Sequence, residues 1–401
     1  MTMRANPAVL FFAVWIGPLL APLMLESQVI TPITTATIVL VTGSIAMMFA
    51  IVIFFWLLRS GHSVDVESVL RTRICFPKLE SISLKLFWAW LATYVIHIVY
   101  SGGVPLYWVL TGDARTYADF GVPTLGGLSN MLRAFILVAC FIIFSYSNGF
   151  KRVRFLKLGL ILMMSAFLLE TGRGNGVVLL LHPVAIYLLV HKFTLQRALL
   201  FSAALALFLV ALGGIQVLRY QDGMAILVQY AESQGFEFSN TVQLLLVPAL
   251  IYYMVPLVNA DLNVVASPLL SFEPYYSLQG LFPTVIRNFL FEAKDYGVLV
   301  SEANNVTSFF TPFIRDFGVI GAFFAVVFLL FITAFVYSKA LSGKLFYILL
   351  WPAIFMSLVL SFFSLFYTSL VVVIYPVLAL YVTRRVRIPL SEEDNVKVMP
   401  T

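Results

Sequence analysis

Charge is the scarcest commodity in this chain. Only 11% of its 401 residues are Asp, Glu, Lys or Arg, while 61% are hydrophobic and the mean hydropathy is +0.98. A soluble domain keeps roughly 25% charged residues at its surface, so this composition excludes one. Cysteine is nearly absent too. Cys75 and Cys140 have neither the spacing of a disulfide framework nor that of a zinc site. Several motifs are missing as well: HExxH, the P-loop, and GxGxxG after a strand. Their absence leaves the metalloprotease, nucleotide hydrolase and dinucleotide-binding readings without support. The chain shows no internal repeat, no low-complexity stretch and no segment that reads as a soluble domain.

What is present is a series of apolar runs near 20 residues, the length an α-helix needs to cross about 30 Å of hydrocarbon. They fall at 8–25, 36–58, 83–101, 130–147, 155–171, 176–191, 198–217, 317–338, 345–362 and 365–383. The fold class expected is therefore all-α, a polytopic transmembrane helix bundle of about ten spans in one integral membrane domain over 1–401. The last two spans come from one 38-residue run, Leu345 to Val382, far too long for one crossing. Ser361 to Thr368 is the expected turn. The first run, with Arg4 before it and no small-residue cleavage site after it, reads as an uncleaved span.

Orientation follows from where Lys and Arg sit. With both termini on the inner side, 18 of the 25 basic residues lie inside and 7 outside. The 19 acids divide the other way, 6 inside and 13 outside. Two large segments then face outward: 102–130, punctuated by Gly and Pro around Asp113, Arg115 and Asp119, and 218–316, which holds nine carboxylates. Within the second, 241–258 is apolar enough to cross but contains Pro248 and Pro256, and a further crossing would break the charge pattern. It is expected to be a re-entrant or interfacial helix.

The basic residues on the outer side are Arg115, Arg133, Arg173, Arg219, Arg287, Arg315 and Lys294, six arginines to one lysine. A guanidinium holds phosphate or carboxylate through two parallel hydrogen bonds and stays charged when partly dehydrated. The pattern points to a bound anion such as the diphosphate of a lipid carrier. Pairing with the thirteen acids nearby is the other reading. Arg173 stands in Glu170-Thr171-Gly172-Arg173-Gly174-Asn175-Gly176, where glycines let a ligand approach the backbone. Glu170 is either a base or the partner of Arg173. Arg315-Asp316 opens the span at Phe317; an arginine there opposes the helix dipole, whereas Asp316 suits it. Arg287 is a lone charge in the apolar stretch LFPTVIRNFLF, as a side chain snorkelling to headgroups would be. His97 and His182 lie inside spans without metal-ligand spacing, each expected neutral and bonded to helix backbone. No Asp-x-Asp pair lies outside; the nearest analogue, Asp65-Val66-Glu67, is on the inner side. Asn305-Val306-Thr307 forms a sequon, which matters only in a glycosylating secretory pathway. Outer-loop Tyr and Trp suit sugar faces, and equally the aromatic belts of any membrane protein.

Three segments carry a resemblance: GGVPL…GDARTYADFGVPTLGGL after the third span, the TGRGNG turn, and NNVTSFFTPFIRDFGVIGAF entering a late span. Together with the topology they resemble the bacterial O-antigen polymerases, the Wzy-type oligosaccharide repeat-unit polymerases. Some members carry Arg-x10-Gly in outer loops; Arg115 with Gly126 has that spacing, while Arg219, Arg287 and Arg315 lack it. The resemblance implies a multi-pass inner-membrane glycosyltransferase with cytoplasmic termini and large periplasmic loops. It would transfer a growing polyprenyl-diphosphate-linked glycan onto a new lipid-linked repeat unit without nucleotide sugar, metal or cofactor. Substrate-binding residues expected on this view are Arg173, Arg287, Arg315, Arg219 and Arg115. Partners are the lipid-linked donor and acceptor, membrane lipids and a chain-length regulator protein, with no nucleic acid. A ligase moving finished glycan to another acceptor would show the same features. A transporter or flippase for the lipid-linked sugar would instead show repeated halves and midplane charge.

Overall fold

The computed structural model describes residues 6–24, 27–58, 64–147, 153–170, 173–191, 222–291, 297–301 and 304–388, with isolated positions between 194 and 217. The described chain is helical, and its one strand-like contact is a single bridge between Ile74 and Arg387. In chain order the helices are α1 (Pro7–Met24), α2 (Thr35–Leu58), α3 (Val66–Thr72), α4 (Phe76–Ser101), α5 (Pro105–Thr111), α6 (Leu125–Tyr146) and α7 (Val153–Glu170). There follow α8 (Arg173–Val190), α9 (Gly223–Ser233), α10 (Thr241–Ala266), α11 (Thr284–Leu290), α12 (Phe310–Leu341), α13 (Leu345–Val359) and α14 (Leu370–Val386). The span expected at 198–217 is described only at isolated positions, and Arg219 lies outside the described residues.

Among the described residues six helical stretches are long and apolar enough to cross a membrane: Thr35–Leu58, Phe76–Thr111, Leu125–Tyr146, Thr241–Ala266, Phe310–Leu341 and Leu345–Phe362. Pro7–Leu23 and Leu179–Val190 are shorter apolar helices. This is the architecture of a helical membrane protein. The 38-residue apolar run divides as its length requires: α13 stops at Val359, a 3-10 turn covers Leu360–Phe362, and α14 begins at Leu370. The stretch expected as a re-entrant or interfacial helix, 241–258, belongs to α10, which continues unbroken through Pro248 and Pro256.

Burial sorts the helices into inner and outer ones. α13 and the middle of α6 are buried on almost every side, as helices apolar all round must be. α12 and α2 instead have one buried and one bare stripe. On α12, Ala322, Val326, Leu330, Ala334 and Tyr337 face inward, while Ile320, Phe324, Phe328 and Phe331 are exposed at the same helical period.

The two ends of the bundle differ in charge. At one end the backbone of Cys75 donates to Val386 and that of Ile388 to Arg73, which brings Arg71, Arg73, Lys78, Arg384, Arg385 and Arg387 to one rim. At the other, where α4 and α7 finish and α6, α8 and α14 begin, lie Asp113, Asp119 and Glu170. The candidate site belongs to this acidic end.

Candidate functional site

Three faces of sequence converge first. Trp90, Tyr94 and His97 recur at helical spacing on α4, and the rings of Trp90 and Tyr94 stack 5.4 Å apart. Against them α6 brings Arg133 and α7 brings Glu170 from its last residue. Arg133 is 2% exposed and its Nη2 donates to Glu170 Oε1 at 2.8 Å and to Asn130 Oδ1 at 2.8 Å. Its guanidinium carbon lies 5.7 Å from the Trp90 ring centroid. A charge so buried persists only when paired, and here the pair also rivets the end of α7 to the first turns of α6. From the sequence Glu170 is either a base or the partner of Arg173; the structure gives it Arg133 as a partner. Arg173 is the first residue of α8, three residues beyond the last residue of α7, and its side chain lies outside the described part.

The first loop is folded onto the end of α4. His97 Nδ1 accepts from the backbone N–H of Val122 at 2.9 Å, and Ser101 Oγ accepts from Gly121 N–H at 2.8 Å. An accepting Nδ1 carries no proton, so His97 is the neutral histidine expected, but it is bonded to the loop rather than to its own helix. Gly121 stands at φ 99°, and a Cβ added there would lie 3.3 Å from His97 Nδ1. Within the loop, Arg115 Nε and Nη2 both reach Asp113, Nη1 donates to the Ser101 carbonyl, and the guanidinium covers the Trp108 ring at 4.5 Å. Hydrogen bonds from Arg115 hold the Asp113 carboxyl at about 2, well below the usual carboxylate range. The fork of Arg115 is thus already engaged by a local carboxylate.

The second group forms around a break in α12. Gly318 has φ 71° and ψ −179° inside an otherwise helical run, and a Cβ there would lie 2.6 Å from the Pro268 carbonyl. Breaking the helix frees backbone groups on both sides of Gly318. The extended stretch 268–273 takes them up: Val319 and Ile320 donate to Pro268 and Leu269, while Ser271 and Glu273 donate to Phe317 and Asp316. Asp316, fully buried, turns its carboxylate away from the helix and accepts from the N–H groups of Tyr276 and Ser277 and from the Ser277 hydroxyl. The Tyr276 ring is thereby fixed under Arg315, whose guanidinium carbon lies 3.4 Å from the ring centroid. Sequence reasoning began this helix at Phe317 and set Arg315 against its dipole. The helix begins at Phe310, so Arg315 sits in the last turn before the break, where a cation is favoured.

Asparagines brace this region. Asn263 Nδ2 donates to the Val298 carbonyl at 2.9 Å and its Oδ1 accepts from Val298 N–H at 3.2 Å, as a neighbouring strand would. Asn259, one turn earlier on α10, holds Val300, Asn304 and Val306 through their backbone atoms. Gly297 fits only because it lacks a Cβ, which would meet Asn263 Oδ1 and, at 3.1 Å, Cδ of Arg315. Asp261 on the same helix accepts from the amide and hydroxyl of Thr34, which ties α10 to the start of α2.

Of the five arginines expected to bind substrate, the structure places Arg115 and Arg315 in the two groups just described, each over an aromatic ring. Arg287 is half-buried on α11 and forms no ion pair among the described residues. Arg219 and the side chain of Arg173 lie outside the described residues. Sequence reasoning counted Arg133 among the outer arginines and set Asp316 at a helix start, but gave neither its partners, and it missed the bracing asparagines. For Arg133 the signal was present: it is the only charge in the apolar run 130–147, and an ionisable residue inside a span is a functional candidate by default. Among the described residues no group of three or more His, Cys, Asp or Glu side chains could hold a metal. No protein-family model, curated protein or solved structure matches the chain.

Proposed function

We propose that this chain is a bacterial inner-membrane glycosyltransferase that polymerises polyprenyl-diphosphate-linked oligosaccharide repeat units. On this reading it crosses the membrane about ten times with both termini cytoplasmic, and its acidic end faces the periplasm. The observation that carries the proposal is Arg315, stacked on Tyr276 and set in position by the Asp316 clasp. A guanidinium stacked by its face keeps the planar fork that recognises a phosphate or carboxylate edge. The six arginines of the outer loops, and the resemblance of the three segments that hold Arg115, Arg173 and Arg315, support the same reading.

In the reaction, the bond between the anomeric carbon of the donor glycan and its diphosphate oxygen breaks as the acceptor hydroxyl oxygen bonds to that carbon. Arginines stabilise the charge gathering on the diphosphate, and a carboxylate at the acidic end takes the hydroxyl proton. Arg315 is the arginine the described geometry favours, with Arg173, Arg287, Arg219 and Arg115 as the further candidates from the sequence. A deletion strain tests the proposal directly. Gel analysis of its surface polysaccharide is expected to show a single repeat unit, restored to a ladder by the intact gene. Complete loss of the repeat unit would instead indicate a ligase or a transporter of the lipid-linked sugar.

A further inference from the structure

Outside the spanning helices, bare apolar surface is concentrated between α10 and α12. Phe272 is 80% exposed and Phe289 88%, and around them Leu269, Leu270, Val285 and Leu290 are each more than half exposed. Residues 268–290 contain just two charged side chains, Glu273 and Arg287. A water-facing segment with that composition is costly, because each exposed apolar side chain forgoes its transfer from water. Yet the segment is held rigidly in place. Its first residues pair with the break in α12, and Gly280 packs against the Thr368 and Ser369 backbone at the start of α14, closely enough that a Cβ would lie 2.8 Å from the Thr368 carbonyl. Tyr275 and Phe291 close its far end, with ring centroids 4.9 Å apart.

The location says what covers this surface. Leu269 accepts a hydrogen bond from Ile320, the first residue of the bare stripe Ile320, Phe324, Phe328 and Phe331 on α12. At the other tie point begins the bare face of α14, with Val373, Val377 and Tyr381. The exposed edge of 268–290 therefore continues two helix faces whose composition suits lipid. Arg287 sits at the rim of the same edge, on the helix that carries Phe289.

We propose that residues 268–290 form an in-plane membrane anchor. Phe272, Phe289 and the leucines beside them lie among the acyl chains of the leaflet at the acidic end, and Arg287 meets lipid phosphate. The segment would then fix the height of Arg315 and Tyr276 relative to the bilayer surface, because the same extended stretch that presents Phe272 also clasps Asp316. This inference stands whichever substrate the acidic end takes.

The test is site-directed spin labelling of the full chain in phosphatidylethanolamine/phosphatidylglycerol vesicles. Cys75→Ser and Cys140→Ala remove the two native thiols, and nitroxides go at Phe272→Cys and Phe289→Cys. Phe328→Cys on the bare face of α12 serves as the lipid reference and Ala114→Cys in the first loop as the water reference. Both labels are expected to show an oxygen-to-nickel-chelate accessibility ratio within about twofold of position 328 and about tenfold above position 114, as in-plane burial requires. A ratio like that of position 114 overturns the proposal, since the edge is then in water. Exclusion of both reagents overturns it too, since protein, such as a second copy, then covers the edge. Should Phe289→Cys fail to accumulate, Val285→Cys on the same helix reports instead.

Discussion

Arg133 and Glu170 form an ion pair 2.8 Å long with hardly any exposure on either side, at the point where α4, α6 and α7 meet. Glu170 is also the last residue of α7, three residues before Arg173 at the start of α8. One contact thus fixes a helix end close in sequence to a candidate anion-binding arginine.

Removing one partner strands the other charge. Glu170→Ala or Arg133→Ala is expected to cost about 3–5 kcal/mol and to lower the amount of folded protein in membranes. The double variant Arg133→Leu/Glu170→Leu is expected to recover folded protein, because apolar replacement of a buried pair is often neutral. Recovery of chain elongation along with folding would show that the pair is structural alone. Folded but inactive double variant would place it in the reaction.

Arg173 and Arg315 separate charge from shape. If either grips diphosphate through two parallel hydrogen bonds, its lysine variant keeps the charge and loses the fork. A charge-assisted hydrogen bond contributes roughly 1.5–3 kcal/mol, so elongation is expected to fall about ten- to a hundred-fold. Chain-length distribution at matched protein levels is the measurement. Chains of normal length and yield from Arg173→Lys would remove that residue from the bidentate role and leave Arg315 and Arg287.

Gly318 should tolerate no side chain. Gly318→Ala puts a Cβ at positive φ against the backbone of Pro268 and Leu269, and a strained residue of this kind costs about 1–3 kcal/mol before the clash is counted. The expected results are a lowered melting temperature in detergent and weaker activity as Tyr276 loses its place under Arg315. Tyr276→Phe keeps the ring and is expected to stay near wild type in both. Tyr276→Leu, which removes it, should lose activity while folding normally.

Asn304 predicts where α10 begins. Its side chain donates to Gln234, before α10, while its carbonyl accepts from Asn259, deep within α10. Both contacts put residues from opposite ends of this stretch on one side. Reporter fusions after Ser233 and Ser301 are therefore expected to read alike and periplasmic, and fusions after Gly149 and Lys344 cytoplasmic. Opposite readings at 233 and 301 would make α10 a crossing and change the count of spans.

Elongation by purified protein is expected to continue in chelator, because the outer loops hold no Asp-x-Asp pair. Activity lost in chelator and restored by magnesium or manganese would overturn this.

Composition alone settled that the chain is helical and apolar enough for a membrane, because backbone groups in hydrocarbon must be satisfied within the segment, and run length then dictates helix length. The asymmetry of Lys and Arg, too, is a property of order along the chain. It needs no contacts to be read, and the rim joining Arg73 to Arg387 follows it. Pairing is another matter. Spacing set Arg173, three residues on, beside Glu170, but nothing in the spacing indicated that α6 also delivers Arg133, 37 residues earlier in the chain, to the same carboxylate. The clasp on Asp316 shows the same limit, since its donors stand about forty residues earlier and meet it only because Gly318 breaks the helix. Spacing along a chain ranks neighbours on one helix; which buried charge finds which partner is decided by helices that touch, and that only tertiary structure supplies.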